Sequence, residues 1–220
     1  MKGILFDFNG TLFDDTFLHI TAWRKFFHDR FGLDFSVEEA HRRFIGPYND
    51  AIFHDVFDGK LSREEVVKFS REKEVEYRAA ARADAENFHL IEGAPEMFDM
   101  LTERHIPFAL ATASPIENVR FYLDELGLNK WFTMDRIVYE EGKLASKPDP
   151  AFYIEAARRL GLSSSECMIV EDSRTGIQAA INAHADRIIA IDRSTPREWL
   201  ESQPEITAII HDFRNFERFI

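Results

Sequence analysis

Gly3-Ile4-Leu5-Phe6 is an apolar run that stops at Asp7, after which the chain turns at Asn9-Gly10. A run this short and this apolar suits a strand buried on both faces, as in a parallel sheet. In an open parallel sheet, ligands sit beyond the carboxyl ends of the strands. An acid at that point faces the crevice, with Gly10 permitting close backbone approach and Thr11 offering a hydroxyl. Taken alone, the same residues also make an Asx-turn with no further role. The rest of the chain decides between the two.

After Asp15 the period changes. Ile20, Trp23, Phe27 and Phe31 fall at helical spacing, and Gly32 closes the run. Ser36 with Glu39 and Ser62 with Glu65 read as capping boxes. Gly46-Pro47 reads as a helix stop, and Ile52, Val56 and Phe57 as a short helix ending near Gly59. A long helix follows Ser62 through Val66, Phe69, Lys73 and Tyr77 towards Ala83. From Ile91 onward strands and helices alternate. Helices are predicted over 95–103, 116–126, 150–160 and 176–183. Strands are predicted over 106–111, 136–139, 168–170, 188–191 and 208–210. Thr195-Pro196 with Glu198 reads as an N-cap, a first-turn proline and a capping acid. This alternation predicts an α/β fold with a doubly wound parallel sheet. The strandless stretch from about 15 to 88 is then a helical insertion after the first strand.

Composition narrows the partners. With 220 residues and 45% hydrophobic content, the chain can bury a core of this kind. A formal charge of −12 argues against nucleic acid and against an anionic membrane surface. It leaves small anions open, because a local lysine and a metal ion can invert the field in one pocket. Cys167 is the single cysteine, so an internal disulfide is excluded and a reducing compartment fits. No apolar run approaches the ~18 residues of a membrane span. Lys2 is followed by too few apolar residues for a signal peptide, so a cytoplasmic location is expected. No motif bears on oligomeric state.

Three predicted strands end in polar residues: Asp7, Thr112 and the pair Glu171-Asp172. Ser146-Lys147-Pro148 lies just before a helix. Singly, Thr112 is a strand-end hydroxyl, Lys147 a surface lysine, and Glu171-Asp172 an acidic pair favoured by a helix dipole. Strand tips of one parallel sheet share an edge, however, so these groups can converge. Carboxylates from different strands suit Mg²⁺, which prefers oxygen ligands. A lysine and a hydroxyl beside that ion make a site for a dianion, and the grouping points to phosphoryl transfer. The histidines show no metal-ligand spacing; His19, opening the first helix after the turn, is a candidate substrate contact. Phe26 and Phe27 read as core of the helical insertion.

The segments DFNGTLFD, LATAS, SKPDP and VEDSRTGIQAA, in that order, resemble the haloacid dehalogenase-like hydrolases over nearly the whole chain. The resemblance implies a Rossmann-like core over 1–14 and 89–220, with an α-helical cap at 15–88 that closes over it. It implies Mg²⁺ as cofactor and a small phosphorylated metabolite as substrate. Asp7 then matches the nucleophile that becomes an aspartyl-phosphate. Thr112 and Lys147 match the groups that hold the phosphoryl oxygens. Asp172 matches the acidic metal ligand, with Glu171 a ligand or a partner of one, and the backbone carbonyl of Asn9 the remaining protein ligand. Gly10 and Ser114 fall on the substrate side.

Phosphatases of this family usually carry a second Asp two residues after the nucleophile, where this chain has Asn9. An amide can donate a hydrogen bond but cannot exchange a proton at neutral pH, and general acid–base catalysis is worth ~10²–10⁴-fold. Phosphate binding and the metal site are expected to persist while turnover falls. An impaired or specialised phosphatase, a phosphate-ligand-binding protein and a substitution that traps a complex all stay open. Asn9-Gly10 is also a deamidation-prone pair. The helical stretch resembles that of the β-phosphoglucomutases at His19, Trp23, Lys73 and Tyr77. The arginine that clamps the distal phosphate there would fall at Asn49, and a lysine after the core-loop serine is replaced by Pro115. A phosphotransferase of that kind therefore ranks below a phosphatase, and a dehalogenase, which needs no Mg²⁺, lower still.

Overall fold

In the computed structural model β1 (Gly3–Phe6) is buried along its whole length, as its composition requires. The structure describes residues 1–45 and 48–220; the helix stop expected at Gly46-Pro47 lies outside them. β1 pairs in parallel with β2 (Phe108–Pro115) on one side and β4 (Cys167–Glu171) on the other. With β3 (Ile137–Glu140), β5 (Arg187–Ile191) and β6 (Ile206–Ile210), these form a six-stranded sheet of order β3-β2-β1-β4-β5-β6. Every pairing is parallel. The winding reverses between β1 and β4, and in such sheets the crevice at the reversal point takes the ligand.

Alternation along β1 supplies both faces of the sheet. Leu5 packs with Ala156 and Ala157 of α7 (Ala151–Arg159) and with Ala179 and Ala180 of α8 (Arg174–Asn182). Those alanines let helix and sheet approach closely. Phe6 points the other way, its ring 5.4 Å from Phe98 of α5 (Ala94–Glu103), edge to face. Phe98 and Phe108 extend this aromatic layer to Phe132. α6 (Ile116–Glu125) follows β2, and α9 (Arg197–Glu201) precedes β6.

The chain divides into two compact units, Met1–Asp14 with His89–Ile220, and Asp15–Phe88. The second contains α1 (Thr16–Phe31), α2 (Val37–Phe44), α3 (Asn49–Val56) and α4 (Arg63–Ala83). Its core is aromatic: Trp23, Phe26, Phe27, Phe44, Phe53 and Phe69 pack together. Gly32 closes α1 at a φ of 65°, a left-handed conformation that glycine adopts without a Cβ penalty. Ser62 and Glu65 form a reciprocal capping box on α4, while at α2 the Ser36 side chain accepts from the Glu39 N–H. Among the described residues no helix is long and apolar enough to cross a membrane.

Most elements differ from expectation by one or two residues at an end, and two differences bear on local structure. β2 begins at Phe108 and runs on to Pro115, so Thr112 and Ser114 lie within the strand. A register shift against β3 between Ala111 and Pro115 lets it continue past the expected end. At α9 the N-cap is Pro196, not Thr195, because Pro196 is extended (φ −55°, ψ 135°) and the helix starts only at Arg197.

Candidate active site

The turn after β1 is tied tightly. Phe8 carbonyl accepts from the N–H groups of Thr11, Leu12 and Phe13, and the Gly10 N–H donates to Phe13 carbonyl at 2.8 Å. Gly10 has φ +79°, and a Cβ there would lie 2.3 Å from Asp172 Oδ2. Both conformation and space therefore require glycine. The turn is fastened across the β1/β4 boundary by Thr11 Oγ1, which donates to Asp172 Oδ1 at 2.9 Å.

Asp7, Glu171 and Asp172 are all buried, and one carboxylate oxygen from each lies within 4.8 Å of the others. Against these acids stands Lys147, whose Nζ donates to Asp7 Oδ1 at 2.6 Å and to Glu171 Oε1 at 2.7 Å. Burial pushes the Asp7 carboxyl up to about 7, opposed by Lys147 and reinforced by Glu171. Asp172 is held well above the usual carboxylate range by burial, then by the charges of Glu171 and Asp7. Burial alone would lower the Lys147 ammonium, but Asp7 and Glu171 outweigh it and raise it well above its ordinary value.

Glu171 has little left to offer a ligand. Its Oε2 accepts from the N–H groups of Asp172 (2.7 Å) and Ser173 (2.6 Å) and from Ser173 Oγ (3.0 Å). Its Oε1 accepts from Lys147 and from Tyr153 Oη at 3.2 Å. A carboxylate has about four lone-pair sites, so both oxygens are filled. The group lies across the first turn of α8, where a Cβ on Gly176 would come within 1.6 Å of Glu171 Oε1. Its geometry is that of a partner that orients Lys147, not of an open ligand.

Asn9 faces a second cluster. Its Oδ1 accepts from Ser114 Oγ at 2.8 Å and from Thr112 Oγ1 at 3.1 Å, and its Nδ2 donates to Tyr122 Oη at 3.1 Å. Asp7, Asn9, Gly10, Thr112, Ser114, Lys147, Glu171 and Asp172 thus lie in one unit, linked through β1, β2 and β4. His19 belongs to the helical unit. There its Nδ1 lies 2.8 Å from Lys73 Nζ and its Nε2 3.2 Å from Asp15 Oδ2. Lysine can only donate, so Nδ1 is the acceptor and the ring proton sits on Nε2.

Tyr122, Tyr153 and Ser173 were not singled out from sequence. Tyr122 and Tyr153 occupy core positions of amphipathic helices, where an aromatic residue signals packing and nothing more. Ser173 carried a faint signal, a serine immediately before a helix; it accepts from the Gly176 N–H.

The reversal point of a doubly wound sheet thus holds several buried acids, a buried lysine and strand-end hydroxyls, an arrangement suited to hydrolases acting on anionic groups. The haloacid dehalogenase-like hydrolase family matches residues 1–184, and the chain belongs to it. A phosphorylated carbohydrates phosphatase of Thermotoga maritima is 29% identical over 88% of this chain and 87% of its own. A β-phosphoglucomutase of Mycobacterium bovis is 24% identical over 88% of this chain and 82% of its own. A haloacid dehalogenase hydrolase of family IA, variant 3, from Entamoeba histolytica superposes with a TM-score of 0.90 at 32% identity, covering 97% of this chain and 94% of that one.

Proposed function

We propose that the protein is a Mg²⁺-dependent, cytoplasmic phosphatase of small phosphorylated carbohydrates, working through an aspartyl-phosphate on Asp7. The observation that carries this reading is the buried acid cluster, which among the described residues is opposed by the single cation of Lys147. Uncompensated buried charge is costly, and the raised carboxyls of Asp7 and Asp172 express that cost. A divalent cation relieves it, and oxygen donors with no soft ligand beside them among the described residues fit Mg²⁺. Asp7, Asp172 and the Asn9 carbonyl would hold the ion. Mg²⁺ there supplies charge neutralisation for a phosphoryl group.

The chain's own residues divide the remaining work. An oxygen of Asp7 attacks phosphorus as the ester oxygen leaves, and water later cleaves the acyl phosphate to release phosphate and restore Asp7. Lys147, fixed by Glu171, and Thr112 hold phosphoryl oxygens, while Gly10 keeps the backbone close without a side chain. Asn9 moves no proton, so the leaving oxygen departs unassisted from position 9 and turnover is low. Asn49 favours a phosphatase over a phosphoglucomutase. Asn49, where the resemblance puts the mutase arginine, carries no charge, and its Nδ2 donates to Glu74 Oε1 at 2.9 Å.

The test is phosphate release from a panel of sugar and aryl phosphates, with and without Mg²⁺, for the intact protein and Asp7→Asn. Mg²⁺-dependent release lost in Asp7→Asn supports a phosphatase. Tight binding of phosphate esters with no release supports the second reading that Asn9 favours, a phosphate-ligand-binding protein on the same fold.

A further inference from the structure

Asn9 Oδ1 takes the hydroxyl protons of two neighbours, Thr112 and Ser114. Thr112 Oγ1 already accepts from the Ser114 N–H at 3.1 Å, and its single proton goes to Asn9 Oδ1. Ser114 Oγ likewise spends its proton on Asn9 Oδ1. Tyr122 Oη lies 3.4 Å from Ser114 Oγ. The Asn9 amide is thus held at both ends: Nδ2 donates to Tyr122 Oη, and Oδ1 accepts from Ser114 and Thr112. A hydroxyl has one proton to give. While Asn9 is held there, neither Thr112 nor Ser114 has a hydroxyl proton left for a phosphoryl oxygen.

Tyr122 is well fixed for this part. Its side chain is buried, and its ring stacks on Phe8 with centroids 4.2 Å apart. The hydroxyl is thereby placed by packing and needs no further ordering.

We propose that Tyr122 is a positioning residue that latches the Asn9 amide across the hydroxyls of Thr112 and Ser114, so that a phosphoryl ligand must displace Asn9 to gain them. This rests on reading Thr112 and Ser114 as phosphoryl-oxygen contacts. The same latch revises the expectation of easy deamidation. That reaction needs the Gly10 nitrogen to attack the Asn9 side-chain carbonyl carbon, releasing ammonia. Here the Gly10 N–H is bonded to Phe13 carbonyl, and the amide is held at both ends.

The probe is orthovanadate in Mg²⁺, titrated against the intact protein, Tyr122→Phe, Asn9→Ala and the double variant. Tyr122→Phe keeps the Phe8 stack and removes the acceptor that holds Asn9 Nδ2. It should bind vanadate roughly three- to tenfold more tightly, about the worth of one net hydrogen bond. Asn9→Ala should tighten binding at least as much, and adding Tyr122→Phe to it should change nothing further. Tighter binding in a variant that melts no higher cannot be general structural damage. Unchanged or weaker binding in Tyr122→Phe overturns the latch. If none of the four proteins binds vanadate, the proposed function fails, and the latch is decided by mass spectrometry of residue 9 on storage. Faster conversion of Asn9 in Tyr122→Phe supports it, and an equal rate overturns it.

Discussion

Lys147 Nζ sits 2.6 Å from Asp7 Oδ1 and 2.7 Å from Glu171 Oε1, one buried ammonium shared between an open acid and an acid whose lone pairs are filled. Lys147→Ala leaves both carboxylates without that partner. Breaking a buried ion pair costs about 3–5 kcal/mol, so the loss of stability should be large at pH 8. It should shrink at pH 5, where Asp7, with a folded value of about 7, takes up a proton instead. Urea unfolding at the two pH values measures this. A pH-independent loss would mean that Lys147 acts by packing its chain and not by its charge. Vanadate affinity should fall as well, at least tenfold.

The acid cluster sets a stability slope of definite sign. Asp7 and Asp172 have folded values above those of an unfolded carboxyl, near 4. Below about pH 4 both states are protonated and nothing is lost. As pH climbs from there towards 7 the unfolded chain gives up protons that the folded state keeps, and stability falls. Asp172→Asn removes one of the repelling charges. It should raise the Tm of metal-free protein at pH 8 while abolishing most of the rise in Tm expected from Mg²⁺ in the unaltered chain. Thermal scans at pH 5 and pH 8, with Mg²⁺ or chelator, provide the comparison. A lower metal-free Tm in the variant at pH 8 would show that the Thr11 bond to Asp172 outweighs the repulsion.

Gly176→Ala should reverse the usual rule. Replacing a helical glycine by alanine ordinarily stabilises by about 0.5–1 kcal/mol. Here the new methyl would fall 1.6 Å from Glu171 Oε1. Glu171 must then leave the α8 turn, freeing Lys147 on one side and exposing the N–H groups of Asp172 and Ser173 on the other. A loss of roughly 2 kcal/mol or more in denaturant unfolding is expected, together with weaker vanadate binding. A stabilised variant would mean that Glu171 has another resting place.

The sheet was legible because each buried strand is a short apolar run and each connection carries helical period. Asp7, Thr112 and Glu171-Asp172 stood out as polar residues at the ends of such runs. What hid the rest is that hydrogen-bond saturation has no sequence signature. Glu171 and Asp172 are adjacent acids with the same chemistry. Only the arrival of Tyr153, Ser173 and Lys147 fills the first and leaves the second with an oxygen facing Gly10. Tyr122 was hidden by its helix: with Val119 and Leu123 it marks the buried side of α6, and nothing in that spacing shows where its hydroxyl ends.

Asn9→Asp tests whether proton transfer at position 9 is what the proposed phosphatase lacks. A carboxylate at position 9 would accept from Thr112, Ser114 and Tyr122, with the tyrosine hydroxyl turning to donate, so the residue fits without repacking. If proton transfer is the deficit, turnover on alkyl phosphates should rise by ~10²-fold or more, the lower end of the general acid–base range. The Asn9 protein should favour aryl and acyl phosphates, whose leaving groups need little protonation. Its second step, attack of water on the aspartyl-phosphate, still lacks a base, so a burst followed by slow release is expected. Single-turnover and steady-state kinetics on both proteins, with mass spectrometry verifying residue 9, separate the two steps. Equal rates on an alkyl phosphate would mean that another group delivers the proton. Inactivity of both would turn the reading towards a protein that binds phosphate esters and holds them.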